Sequence, residues 1–137
     1  MSCILRIVGK DFDVDAFILK SEIAPYKRFY KGDPKYQSKP DGAKLDNSGC
    51  IIELSNADFH NFAQQLKDAT AYLTQHKEKF KLINNFPGID YSILDFGLEN
   101  DDIKFIQTYY LPNDLLKIVG ELGLSIELSL YQSEKSE

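Results

Sequence analysis

The sequence predicts a single α+β domain in which helices pack on one face of a mostly antiparallel sheet. The spacing of apolar residues changes from helical to alternating at Pro87-Gly88 and again at Gly123. The composition, with 43% hydrophobic and 27% charged residues in 137, suits one globular core. We therefore expect one domain over residues 1–132 and a disordered tail over residues 133–137.

The N-terminal region is predicted to add one strand and one short helix to this domain. Residues 3–8 form a short run of apolar and branched side chains that ends at Gly9, which favours a strand. The acidic residues within 11–15 suit a helix start, where carboxylates accept hydrogen bonds from free N–H groups. Their spacing is also similar to a calcium-binding loop, but Ala16 occupies the position that requires glycine, so no calcium site is predicted.

The middle of the chain predicts a buried strand followed by the longest helix. Residues 49–54 have the composition of a buried strand, and Ser55-Asn56 is expected to cap a helix over residues 57–76. The polar side chains of this helix, including Gln65, are expected to face solvent. Pro87-Gly88 ends the helical region.

A hairpin is predicted next. Residues 89–98 are strand-like, residues 99–102 form a polar turn, and residues 103–110 are predicted to be the return strand. Asn113 is then expected to cap a helix that ends in a left-handed residue at Gly123.

The last strand is predicted from residue 124, where apolar residues occupy every second position, as in a strand with one buried face. From about residue 49 the predicted order is β-α-β-β-α-β, the split βαβ or ferredoxin-like arrangement. In that arrangement the strands at 51–54 and 89–98 should be parallel to one another, as should those at 103–110 and 124–130.

Residues 26–49 form a long loop without apolar periodicity. Between residues 26 and 44 it has six basic residues against two acidic ones, whereas the net charge of the chain is −5. This contrast would steer an acidic protein or an anionic ligand toward the loop. The residues predicted to make the contact are Arg28, Tyr30, Lys31, Lys35 and Tyr36. The alternative is a mobile connector, or a loop whose charges fold back onto acids of the same chain.

Several of these motifs together resemble a bacterial family classed as a domain of unknown function. The resemblance rests on the strand ending at Gly9, the acid-rich helix start at 11–15, the Lys31-Gly32-Asp33 loop and the helix-to-strand run at 115–131. It covers residues 2–131. The resemblance implies a bacterial source and a ferredoxin-like α+β fold, and it implies no activity and no catalytic residues.

The sequence contains no pattern that identifies a reaction. Cys3 and Cys50 lie in apolar runs and are expected to be free thiols in a reducing cytoplasm, although a disulfide between adjacent strands stays open. His60 and His76 are sixteen positions apart on the predicted helix, too far to share a metal ion. The sequence also lacks a glycine-rich phosphate loop and a nucleophile elbow. We therefore predict no metal and no cofactor, and we favour a protein that is not an enzyme.

Two functional hypotheses follow. No apolar run approaches the roughly 20 residues of a membrane span, so a soluble cytoplasmic protein without a membrane partner is predicted. The net charge of −5 makes nucleic acid an unlikely partner, because binding to phosphates requires a positive surface. The first hypothesis is a non-catalytic module that binds an unknown protein or associates with itself through a sheet face or edge. The second is a small anionic-ligand or enzyme site between the sheet and residues 26–44.

Overall fold

The computed structural model describes residues 1–132, which form one five-stranded sheet and four α-helices. The elements in chain order are β1 (Cys3–Gly9), α1 (Val14–Ser21), β2 (Lys27–Phe29), β3 (Ser48–Ser55), α2 (Phe62–Gln75), α3 (Lys77–Phe80), a 3₁₀ helix (Lys81–Asn84), β4 (Tyr91–Asn100), α4 (Asn113–Glu121) and β5 (Ser125–Gln132). The predicted α+β class is confirmed. The predicted tail over residues 133–137 lies outside the described residues.

The sheet has the strand order β2-β3-β1-β4-β5 and is antiparallel except between β4 and β5. Because β1 lies between β3 and β4 and is antiparallel to both, β3 and β4 are parallel to one another, as predicted. In the same way β3 separates the parallel pair β1 and β2. The elements from β1 to β4 therefore have the order and directions of a split βαβ, ferredoxin-like unit.

The position of this unit along the chain differs from the prediction. It begins at Cys3 rather than near residue 49, and the added elements are α4 and β5 at its C-terminal end. The return strand predicted over residues 103–110 is wrong, because β4 continues into the expected turn as far as Asn100 and residues 103–110 contain no strand. The second predicted parallel pair is therefore absent from residues 1–132, and β5 pairs in parallel with β4 instead. Local alternation shows that a segment could be a strand, but partners distant in sequence decide whether it becomes one.

The long helix begins later than predicted. The side chain of Asn61 caps α2 by accepting a hydrogen bond from the main-chain N–H of Gln64 at 3.1 Å. Ser55 instead ends β3, and its hydroxyl donates to the carboxylate of Asp68 on α2 at 2.7 Å. The predicted cap at Ser55-Asn56 is therefore wrong. The side chain of Ser55 instead connects the end of β3 to α2 through its hydrogen bond with Asp68.

The start of the last helix, α4, differs from the prediction, whereas its end agrees with it. Pro112, rather than Asn113, occupies the N-cap position of α4, with no side-chain cap hydrogen bond. Gly123 follows this helix with a φ of 71°, in the left-handed region that glycine adopts without strain, as predicted.

The hydrophobic core lies between the helices and one face of the sheet. The strands bury Leu5, Ile7, Ile52, Leu94 and Phe96 there, the helices contribute Phe17, Leu73, Phe80 and Leu115, and Leu122 joins them from the C-terminal end of α4. In the strands these buried residues recur at every second position, and in the helices they recur at helical spacing, as expected for elements with one buried face.

Gln65 corrects the expectation that the polar side chains of α2 all face solvent. This residue is fully buried, and its Nε2 donates to the main-chain oxygen of Gly97 at 2.8 Å and to that of Asp58 at 3.3 Å. The hydrogen bond to Gly97 attaches the first turn of α2 to β4, and the one to Asp58 attaches it to the segment that precedes the helix. A buried amide with main-chain partners looks the same in sequence as a solvated one.

The opposite face of the sheet carries an ion-pair network. Arg6 on β1 contacts the carboxylate of Asp95 on β4 at 2.7 Å and that of Glu127 on β5 at 2.5 Å. The hydroxyl of Ser129 also donates to Asp95 at 2.7 Å. These contacts join three strands and compensate the charge of Arg6 within the sheet.

Candidate functional site

The basic loop is an ordered arm over residues 30–47, which projects between β2 and β3. Its two sides are joined by main-chain hydrogen bonds from Gly32 to Leu45, from Lys35 to Ala43 and from Leu45 to Asp33, with lengths of 2.8–2.9 Å. The arm is therefore a hairpin-like excursion with its own hydrogen bonding, which is how a long polar segment can satisfy its main chain.

The base of the arm is attached to α1 through acids of the same chain. One oxygen of Asp15 accepts hydrogen bonds from the Arg28 guanidinium and from the Tyr30 hydroxyl, each at 2.8 Å. The bonds from Tyr30 and Arg28 lower the pKa of the Asp15 carboxyl. Lys31 lies 4.0 Å from Asp11. Three of the five residues predicted to bind a partner thus face α1.

The other two predicted residues lie in the arm itself. Tyr36 is 56% exposed. Lys35 borders a groove of about 460 Å³ between β2 and the arm. The groove is lined by Lys27, Arg28, Phe29, Asp33, Pro34, Lys35, Gln37 and Leu45. The structure therefore brings Arg28 and Lys35 to one groove, while Tyr30, Lys31 and Tyr36 lie outside its lining.

A larger groove lies between α2 and the segment that leads into α4. This α2 groove has a volume of about 740 Å³. Phe62 and Leu66 contribute apolar surface, and Tyr110 and Pro112 form the wall that precedes α4. The side chains along α2 are small where the groove lies, namely Ala63, Thr70, Ala71 and Thr74. A size of this order falls within the range of cavities that hold small ligands or side chains of a partner.

Next to this groove, residues 103–110 form a loop with apolar side chains in solvent, which we call the apolar loop. Ile103 is 96% exposed, Phe105 98% and Ile106 70%. This surface could not be foreseen from the sequence, because residues 103–110 were predicted to form a paired strand. No signal in the sequence distinguished this segment from a strand, because its apolar residues suit either one.

The apolar loop is nevertheless held at both ends. The side chain of Gln107 donates to the side chain of Asn100 at 2.9 Å and to the main-chain oxygen of Asp101 at 3.0 Å, and it accepts from the N–H of Asp101 at 3.1 Å. Further along, the ring of Tyr109 packs edge-on against Phe62, with ring centroids 5.6 Å apart. These contacts hold the loop while Ile103 and Phe105 point away from the protein.

In the part of the chain that the structure describes, the cysteines and the candidate metal-binding side chains do not converge on a site. Cys3 and Cys50 are free and buried, and burial raises the pKa of the Cys50 thiol to about 12 and also raises that of Cys3. The two cysteines occupy adjacent strands, but Cys50 lies opposite Ile7, four positions from Cys3, or about 13 Å along the strand. A disulfide between them would need Cα atoms less than about 7 Å apart. Within residues 1–132, no three His, Cys, Asp or Glu side chains lie close enough to hold a metal ion.

The fold and these surfaces define a small α+β protein with a split βαβ unit that is extended by a C-terminal helix and strand. A family model described as "Domain of unknown function (DUF4279)" matches residues 1–133, and the chain belongs to this family. The comparison with curated proteins found no match, and neither did the comparison with solved structures. Among the helices of residues 1–132, none is long and apolar enough to cross a membrane.

Proposed function

We propose that this protein is a non-catalytic module that binds another protein through the apolar loop and the α2 groove. The observation that carries this proposal is the nearly complete exposure of Ile103 and Phe105 in a loop that Gln107 holds in place. Burial of each such side chain contributes about 1.5–3 kcal/mol. A partner that covers both would gain that free energy without having to order the loop first.

The groove beside the loop has the features of a binding surface for a polypeptide. Its lining is mainly apolar, and Lys67 and Asp114 add one charge of each sign to it. A protein interface commonly combines an apolar centre with a polar rim. We infer that side chains of the partner enter the groove while Phe105 and Ile103 pack against the partner's own apolar surface.

The chemistry of the remaining side chains supports binding rather than catalysis. The raised pKa values of the two buried thiols disfavour the thiolate that a cysteine nucleophile requires. The guanidinium groups of Arg6 and Arg28 are paired with carboxylates of the same chain. Such groups stabilise the fold, and a substrate would have to displace those carboxylates to reach them.

We also infer that the protein acts in the cytoplasm of a bacterial cell. Two free cysteines that are buried about 13 Å apart suit a reducing compartment, where thiols persist without forming bridges. The unknown partner would then be a protein of the same compartment, and nucleic acid is an unlikely partner for a chain with a net charge of −5.

Photo-crosslinking tests the proposed binding surface. A photoreactive phenylalanine analogue would replace Phe105 in cells that naturally make the protein, and the control would carry it at Leu19, which is 82% exposed on α1. We expect a discrete product that contains a second polypeptide from position 105 but not from position 19. Ile103→Asp should reduce its yield about tenfold, since 1.4 kcal/mol corresponds to a factor of ten.

Two results would contradict the proposal. One is a failure of position 105 to give any product above background, and the other is the same set of products from positions 105 and 19. Circular dichroism of each purified variant would establish that the fold is retained, which all three substitutions should allow because the replaced side chains are exposed.

A second candidate function is the binding of a small anion in the groove between β2 and the arm. The observation that favours it is the presence of Lys27, Arg28 and Lys35 around one groove, with Asp33 as the acid in its lining. Arg28 would have to exchange its contact with Asp15 for one with the ligand. The two lysines could bind an anion without such an exchange.

A further inference from the structure

The outer edge of β5 differs from the other edge of the sheet. Strand β5 has eight residues, lies at one end of the strand order and pairs with β4. In residues 1–132 no strand pairs with its outer side. Its main-chain N–H and C=O groups on that side are therefore available to another strand.

The apolar face of β5 is only partly covered. Leu124, just before the strand, is 8% exposed, and Ile126 is partly buried against the core. Leu128 and Leu130 follow on the same face and are 37% and 55% exposed. The sequence pattern is that of a strand with one buried face, yet the described residues 1–132 cover only the first half of that face.

The opposite edge of the sheet shows how this protein protects an edge. Strand β2 has only three residues, of which Lys27 and Arg28 are basic, and the arm follows it directly. Short length and basic side chains are features by which proteins prevent pairing of edge strands. Strand β5 contains no Lys, Arg or Pro, and its single charged residue, Glu127, is paired with Arg6.

We propose that β5 pairs antiparallel with β5 of a second copy of this chain, which makes one sheet continuous across both molecules. An antiparallel pair of identical edges has two-fold symmetry, so each copy supplies the strand that the other lacks. The interface is formed by residues of β5 rather than by those of the apolar loop, and its tests do not depend on whether that loop binds another protein.

The sequence of β5 selects the register of this pair. With Leu128 at the two-fold axis, Leu128 faces its own counterpart and Ile126 faces Leu130, so the exposed leucines of both copies meet on the helix side of the sheet. Glu127 then faces Ser129. A register centred on Glu127 would place two carboxylates opposite one another, which is destabilising.

Self-pairing explains β5 better than pairing with an unrelated strand. Every position that needs an apolar neighbour finds one in the same sequence read in the opposite direction, and the charge of Glu127 meets a hydroxyl. The carboxylate also keeps its contact with Arg6, because that contact runs along the sheet toward β1 rather than outward. The face covered by the second copy is the part of β5 that the first copy leaves exposed.

Sedimentation velocity of the purified chain over a range of concentrations tests this proposal. We expect a monomer–dimer equilibrium that Leu128→Lys weakens at least about tenfold, because the substitution places two lysines opposite one another. The matched control is Leu116→Lys on α4, where the leucine is 47% exposed, and it should leave the equilibrium unchanged.

Chemical crosslinking provides a second measurement that does not depend on the stability of the lysine variant. Leu128→Cys should form a crosslinked dimer with a short bismaleimide much faster than Leu116→Cys, while the buried Cys3 and Cys50 react slowly. A parent that stays monomeric at all concentrations, or equal crosslinking of the two cysteine variants, would overturn the pairing. Either result would leave the apolar loop intact as a binding surface, since its test uses position 105.

Discussion

Arg28 and Asp15 are thirteen positions apart in the chain, and their ion pair decides what the base of the arm can do. Arg28 was predicted to contact a partner, and in the folded chain its guanidinium contacts a carboxylate of α1 at 2.8 Å. Tyr30 shares the same carboxylate oxygen. Whether these residues also bind a partner stays a prediction, and a partner would compete with Asp15 for them.

This contact should respond to acid. The pKa of Asp15 is lowered by its hydrogen bonds with Tyr30 and Arg28, so its contribution to stability is complete at neutral pH. It is lost as the pH falls through the lowered pKa, below the ordinary aspartate value of about 3.9. We expect the melting temperature of Asp15→Asn to lie below that of the parent at neutral pH and to converge with it in acid.

The carboxyl titration can also be followed directly by NMR. Asp41→Asn, at an exposed acid in the arm, is the control for the loss of one negative charge. The prediction is wrong if Asp15 titrates at or above the ordinary aspartate value of about 3.9, or if both asparagine variants show the same pH dependence of stability.

At the scale of elements, α4 is an addition to the split βαβ unit but shares its core. Leu115 and Leu122 are fully buried with the strands and with α2, while Leu116 on the same helix is 47% exposed. The helix therefore fills one core together with the unit rather than forming a separate layer. Removal of α4 and β5 would therefore also remove side chains that pack in this core.

Leu122→Ala should lower the free energy of unfolding by about 2–5 kcal/mol, because it removes a fully buried leucine and leaves a cavity. Leu116→Ala on the exposed side should change it by less than about 1 kcal/mol. Urea denaturation of both variants and the parent, with dimerisation held constant by protein concentration, measures the difference. Equal midpoints for Leu122→Ala and the parent would show that this side of α4 does not contribute to the core.

At the scale of the whole molecule, charge is distributed unevenly. The segment 26–44 contains six basic and two acidic residues in a chain whose net charge is −5. Several of these charges are compensated locally, since Arg28 and Lys31 face Asp15 and Asp11. Lys27 and Lys35 at the groove beside β2 are the cations through which an anion would be attracted to the molecule.

Inorganic pyrophosphate is a suitable probe for this attraction. We expect NMR chemical shifts of β2 and the arm to change on addition of pyrophosphate at low salt, and the changes should diminish as salt screens the charges. The variant Lys27→Ala/Lys35→Ala should lose most of the response, and the control Lys20→Ala/Lys67→Ala, with the same loss of charge elsewhere, should retain it. Equal responses from the two variants would remove anion binding as a candidate function.

Much of this fold was determined by short stretches of the sequence. The strand that ends at Gly9, the acid-capped α1, the buried β3 and the glycine after α4 were all predicted near their observed positions. These features depend on residues a few positions apart, through apolar spacing, capping and the backbone freedom of glycine. The class of fold follows from them.

Only the tertiary structure decided the centre of the sheet and the surfaces that bear on function. It placed β1 between β3 and β4, left residues 103–110 unpaired, and brought Arg6 to Asp95 across 89 positions of the chain. The physical reason is that strand pairing and side-chain contacts are made between segments distant in sequence, so each segment's own pattern admits several partners. The same alternating pattern produced a paired strand at β5 and an exposed loop after β4, because β4 had one free edge and β5 occupied it.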